Sequence, residues 1–102
     1  KDFDEVLNDT EVDAVIIATP VFTHFELAKK ALLKGKNVLL EKPMTSTSKE
    51  AYELFELAQK VNKLIMVDHT FLYTGAVQKM KQLIESGIEA KNIIILHEFH
   101  TY

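Results

Sequence analysis

Several residue types are absent from this 102-residue sequence, and each absence excludes a class of function. Cysteine is missing, so the chain has no disulfide, no thiolate nucleophile and no cysteine-ligated zinc site. All twelve basic residues are lysines scattered among fifteen acidic residues, with a net charge of −3. Nucleic-acid binders usually present a basic stripe that includes arginine. We therefore expect no nucleic-acid partner. The absence of cysteine also suits a reducing cytoplasm.

Glycine and long apolar runs are also scarce. The three glycines, Gly35, Gly75 and Gly87, cannot form the G-x-G-x-x-G or Walker loops that cradle phosphates. The longest stretch without an acidic residue or lysine, Ala14 to Phe25, falls short of the ~20 residues that span a bilayer. The sequence predicts no membrane span and, by itself, no usual pyrophosphate site.

Short apolar runs alternate with amphipathic segments of helical length. The runs are Ala14–Ala18, Asn37–Leu40 and Leu64–Val67. Helices are predicted from Thr23 and from Thr47, which each open a capping box, and from about Gly75 to Ser86. A last strand is predicted at residues 92–99. Because strands joined through helices form parallel sheets, the sequence predicts an α/β fold whose parallel sheet is covered on both faces.

Polar residues follow each of the three strands. Ligands of open parallel sheets bind outside the carboxyl ends of the strands, where this sequence places segments beginning at Thr19, Glu41 and Asp68. Lys42 is the strongest candidate for a functional residue, because it directly follows a buried strand and Pro43 restricts the local backbone. The alternative is a strand-end lysine that extends into solvent. The other lysines near a helix end, such as Lys34 and Lys36, are expected to be solvated.

Two blocks of the sequence carry a family resemblance. The first is Asp13–Pro20 with the following Thr23 and His24, and the second is Gly35–Met44, which ends in Glu-Lys-Pro-Met. Together they resemble the glucose-fructose oxidoreductase, inositol dehydrogenase and MocA family, and Val67–His69 with residues 73–87 extends the likeness over nearly the whole chain. The resemblance implies an oxidoreductase that transfers a hydride between a sugar, polyol or nucleotide-sugar hydroxyl and NAD or NADP.

The resemblance also implies a division of the chain. Residues 1–90 would be the later part of an NAD(P)-binding Rossmann domain, a partial parallel sheet with flanking helices. Residues 91–102 would begin a second α+β domain for substrate binding and dimerisation. The chain opens at Lys1 within a predicted charged helix, which on this interpretation makes it a fragment.

Site residues follow from the same resemblance, position by position. Lys42 would be catalytic, beside both the nicotinamide and the substrate hydroxyl, since an ammonium can stabilise a developing alkoxide or relay its proton. His69 would lie at the substrate pocket as a second catalytic residue, or be a satisfied loop histidine. His24 would approach the nicotinamide, or have a structural role at a helix start. The family often has a cis bond before the equivalent of Pro43. The residues implied to bind the cofactor are Thr19, Pro20, His24, Glu41, Lys42 and Pro43, and no metal is implied.

Two hypotheses remain open for the function. In the first, the chain is part of a dehydrogenase with a small sugar or polyol substrate, a homo-oligomer in the cytoplasm with no nucleic-acid or membrane partner. In the second, the chain is a non-catalytic, truncated α/β module that only folds or self-associates. On either hypothesis the 102-residue chain alone is expected to be inactive.

Overall fold

A computed structural model describes residues 2–87 of the chain. The elements are helix α1, Phe3–Asn8; strand β1, Ala14–Ile17; helix α2, Val21–Leu33; strand β2, Asn37–Leu40; helix α3, Ser48–Lys60; strand β3, Ile65–Val67; a 3-10 turn, Thr70–Tyr73; and helix α4, Gly75–Glu85. They fall into two compact units that divide between His69 and Thr70. The predicted strand at 92–99 and the predicted boundary after residue 90 lie outside the described residues.

The strands form one parallel sheet with β2 in the centre. Ile17, Leu40 and Val67 are register partners across the three strands. The ladder continues one residue further, where the N–H of Glu41 donates to the Ile17 carbonyl and the N–H of Asp68 donates to the Leu40 carbonyl, each at 2.9 Å. The predicted α/β fold with a parallel sheet is confirmed, and the three strands end level with one another.

Helices α1, α2 and α3 pack on a single face of this sheet. The buried apolar core is formed by Leu7, Val15, Ile17, Ala28, Ala31, Leu32, Val38, Leu40, Leu54 and Ala58. Side chains alternate between the two faces of a strand, and on the opposite face Ile16 is 74% and Met66 52% exposed. Within residues 2–69, which contain the sheet and helices α1 to α3, the expectation of a sheet covered on both faces is therefore wrong. The unbroken apolar run of β1 does not reveal which face its helices cover.

The two capping boxes predicted from the sequence, at Thr47 and at Thr23, have different outcomes. Thr47 caps α3 in a complete capping box with Glu50, as predicted. The capping box predicted at Thr23 is wrong, because α2 already begins at Val21 with Pro20 at its N-cap. Thr23 then lies in the first turn, where its hydroxyl donates to the Pro20 carbonyl at 2.7 Å. Gly35, with φ of 74°, follows α2 as the predicted C-terminal stop.

The first helix and the loop that follows it are held by polar contacts. Asp2 is the N-cap of α1 and forms a capping box with Glu5, so the predicted charged helix begins at Phe3, and Lys1 lies outside the described residues. The following loop is closed by Lys36, whose ammonium donates to the carbonyls of Asp9 and Val12 at 2.7 Å each. Lys36 is only 7% exposed. The expectation of a solvated Lys36 is wrong because its ammonium is hydrogen-bonded to the backbone of this loop.

No helix within residues 2–87 is long and apolar enough to cross a membrane.

Candidate functional site

Three chain segments meet the carboxyl edge of the sheet, one after each strand. The segment after the central strand β2 contains Lys42, and those after β1 and β3 flank it. Glu41 is half-buried, whereas most of the predicted site side chains are exposed. The exposed ones are Thr19, Pro20, Lys42, Pro43 and His69. The edge therefore presents a lysine, a hydroxyl and an imidazole to solvent, as parallel sheets do at their binding sites.

The backbone at Lys42 is fixed on both sides. The N–H of Glu41 continues the sheet ladder, and the N–H of Lys42 donates to the Glu41 carboxylate at 2.8 Å. The Lys42–Pro43 peptide bond is cis, as the resemblance implied. Met44 then packs against the apolar core. The Lys42 ammonium itself has no hydrogen-bond or ion-pair partner among residues 2–87, so it is available to a ligand.

His24 lies beneath this turn and is only 1% exposed. Its Nδ1 is 3.0 Å from the Pro43 carbonyl oxygen, and its Nε2 is 2.8 Å from the Thr19 carbonyl oxygen. Carbonyl oxygens only accept, so an imidazolium donates to both and each neutral tautomer donates to one. The His24 ring therefore links two loops, a structural role that differs from the predicted one at a helix start. Its contact with a cofactor stays a prediction.

The Thr19–Pro20 turn has its own hydroxyl network. The Thr19 and Thr23 hydroxyl oxygens are 2.7 Å apart, and the Thr23 hydroxyl donates to the Pro20 carbonyl. Because the Thr23 proton is used there, the Thr19 hydroxyl is the donor to Thr23. The backbone of this turn is therefore held in place on the β1 side of the edge.

His69 stands at the same edge, on the β3 side. Its backbone N–H donates to the Val67 carbonyl at 2.9 Å, and its imidazole is exposed. The contacts found among residues 2–87 include none between the imidazole and Lys42. The described residues also contain no cluster of three or more acidic or histidine side chains able to hold a metal.

The turns after β1 and β2 can meet a ligand through side chains rather than through a backbone phosphate cradle. A phosphate cradle needs closely approaching backbone, usually at glycine, and no glycine stands in the turns after β1 and β2. Those turns offer an unpartnered ammonium and an exposed hydroxyl instead. Lys42 and Thr19 can thus meet polar atoms of a bound ligand.

Residues 1–69 match the profile of an oxidoreductase family with an NAD-binding Rossmann fold, GFO_IDH_MocA. An uncharacterised oxidoreductase from Synechocystis is 45% identical over 85 residues, which cover 83% of this chain and 23% of that protein. A D-xylose dehydrogenase from Paenarthrobacter nicotinovorans is 33% identical over 98 residues, which cover 96% of this chain and 25% of that protein. The chain spans about a quarter of the length of these relatives.

Solved structures show the same likeness. An NAD-binding protein from Listeria innocua superposes with a TM-score of 0.82 and 39% identity, over 85% of this chain and 25% of that one. A 3-ketoreductase from Actinomadura kijaniata, solved with TDP-benzene and NADP, superposes with a TM-score of 0.79 and 31% identity, over 86% of this chain and 28% of that one. The fold around Lys42 is thus shared with nicotinamide-dependent proteins.

Proposed function

Because the chain belongs to the oxidoreductase family with an NAD-binding Rossmann fold, we propose that it forms the nicotinamide side of a dehydrogenase active site. The reaction is hydride transfer between a sugar, polyol or nucleotide-sugar hydroxyl and NAD or NADP. The unpartnered Lys42 ammonium at the end of the central strand carries this proposal. The sugar class is supported by two relatives, a D-xylose dehydrogenase and a 3-ketoreductase solved with a TDP ligand.

Oxidising a carbinol removes a hydride from carbon and a proton from the hydroxyl oxygen. The bound nicotinamide supplies the hydride acceptor. In our proposal Lys42 Nζ acts in one of two ways. As an ammonium it donates a hydrogen bond to the substrate oxygen and stabilises the negative charge that develops there, while the hydroxyl proton leaves to solvent water; as a neutral amine it accepts the hydroxyl proton and passes it to solvent water. The proposed position of Lys42 is favourable because its backbone is fixed while its side chain is exposed.

The remaining predicted residues take supporting roles in this proposal. His69, which follows the neighbouring strand, would contact the substrate. Thr19, Pro20, Glu41 and Pro43 would line the nicotinamide pocket, the first two from the β1 side and the others from the β2 side. Their support is their common location at one edge of the sheet.

In this proposal the 102-residue chain alone is inactive, because it contains no G-x-G-x-x-G turn to hold a pyrophosphate. We also propose that the whole protein is a homo-oligomer in the cytoplasm. Self-association of the 102-residue chain is supported by β1, which has only one strand neighbour in the described sheet, since open strand edges favour pairing with another chain.

The test is a turnover assay of the full-length protein with NAD and with NADP. Aldoses, polyols and nucleotide sugars are offered in parallel, and reduction of the nicotinamide is followed by absorbance. We expect turnover with at least one of these alcohols and one cofactor. Absence of turnover with every pair, from a folded protein that binds its cofactor, would contradict the proposal.

A further inference from the structure

We propose that His24 is the positioning residue for Lys42, acting through the carbonyl oxygen of Pro43. This inference rests on the proposed function of Lys42. His24 itself cannot reach a substrate, since it is 1% exposed and both ring nitrogens face backbone carbonyls. It acts on the turn that presents the lysine rather than on the reacting atoms.

Lys42 stands between two anchored neighbours. On one side, Glu41 is tied to β1 by its N–H bond to the Ile17 carbonyl at 2.9 Å. On the other, the Pro43 carbonyl is 3.0 Å from Nδ1 of His24. The Lys42 ammonium has no partner among residues 2–87 to hold it. The place from which the side chain extends is therefore set by the backbone on either side, and His24 supplies one of the two anchors.

His24 is itself held firmly. It lies in α2, one turn before Ala28, which is completely buried. Its Nε2 is 2.8 Å from the Thr19 carbonyl, directly after β1. One buried side chain thus ties together the turn after β1, helix α2 and the turn after β2. A displacement of the ring would move Pro43 and, with it, Lys42.

The two ring nitrogens can be tested separately by substitution. An asparagine amide nitrogen is as many bonds from the backbone as histidine Nδ1, so His24→Asn keeps a donor facing Pro43. A glutamine amide nitrogen extends close to the position of Nε2, so His24→Gln keeps a donor facing Thr19. His24→Phe keeps an aromatic ring and removes both ring nitrogens. Ala28→Gly, a buried change in the same helix without a polar group, is the control for general destabilisation.

The experiment measures kcat and cofactor Kd for these variants of the full-length protein. His24→Phe should lower kcat by at least about tenfold, since small misplacements of a reacting group reduce turnover strongly. Cofactor Kd should stay within about threefold. His24→Asn should recover most of the lost turnover, His24→Gln should not, and Ala28→Gly should turn over like the wild type. Turnover of His24→Phe equal to the control, or better rescue by Gln than by Asn, would overturn the inference.

Hydrogen exchange of the cofactor-free protein separates this inference from the proposed function. If the wild type shows no dehydrogenase activity, the proposed function fails, and exchange at the amides of Lys42 and Met44 still tests the anchor. Faster exchange in His24→Phe and His24→Gln, but not in His24→Asn, supports it. Exchange unchanged in all three variants overturns it.

Discussion

Replacing Lys36 by methionine should strongly destabilise the fold. Lys36 is 7% exposed, and its ammonium donates two 2.7 Å hydrogen bonds, to the carbonyls of Asp9 and Val12. Hydrogen bonds from a charged donor contribute about 1.5–3 kcal/mol each. Methionine keeps most of the apolar stem and removes the desolvation penalty of the charge, so we expect a net loss of about 2–4 kcal/mol.

The loss is large compared with a total domain stability of about 5–15 kcal/mol. At about 4–8 °C per kcal/mol for a domain of this size, the melting temperature should fall by roughly 10–30 °C. Urea unfolding followed by circular dichroism measures the free energy directly.

Lys34→Met is the matched control for this measurement. Lys34 stands two residues earlier and is exposed, and its ammonium donates to the side chain of Asn8 at 2.7 Å. Because this hydrogen bond is exposed to solvent, it should contribute less than about 1 kcal/mol although its donor is charged. If the two variants lose the same stability, or if Lys36→Met unfolds like the wild type, the argument from the buried ammonium is refuted.

Three further measurements examine other parts of the molecule. The hydrogen bond to Glu53, at 2.6 Å, raises the pKa of Lys29 above 10.5. This link between α2 and α3 therefore stabilises the folded state fully below pH 10.5, and its contribution is lost as the pH rises through the raised pKa of Lys29 in the folded state. The wild type and Glu53→Ala should therefore converge in urea midpoint at high pH, and a constant difference would contradict this. Thr47→Ala should lose about 1 kcal/mol. Thr74→Ala should lose less, because the Thr74 hydroxyl makes no cap bond and only donates to the Phe71 carbonyl in an exposed position; equal losses would contradict a larger contribution from the Thr47 cap. The 102-residue chain alone should show no turnover, weak NADH binding by calorimetry and self-association by light scattering, and a tight cofactor complex or a monomer at high concentration would disagree.

Much of the fold could be predicted because its signals are local. Strand β2 has the predicted bounds, and α3 begins at its predicted capping box. The start of α2 was misplaced because two signals compete there. Pro20 suits the helix entry, and Thr23 then uses its hydroxyl on the Pro20 carbonyl instead of capping.

Features that depend on tertiary contacts could not be predicted in the same way. Nothing in the residue pattern distinguishes buried Lys36 from exposed Lys34, since the difference arises from a loop more than twenty residues earlier in the chain. The same holds for the tie between His24 and the Pro43 carbonyl. His24 and Pro43 both lie in the two sequence blocks that carry the family resemblance. Only the folded structure shows the contact between the His24 ring and the Pro43 carbonyl oxygen.

The most direct test of the central claim is the Lys42→Ala variant of the full-length protein, compared with Lys49→Ala, an exposed lysine in the first turn of α3. We predict that Lys42→Ala lowers kcat by roughly 100- to 10,000-fold, as expected for loss of a group that handles a proton or stabilises charge, with a much smaller change in cofactor Kd. Lys49→Ala should leave both unchanged. Unchanged turnover in Lys42→Ala, or a loss explained entirely by weaker cofactor binding, would contradict the assignment of Lys42 to the reaction.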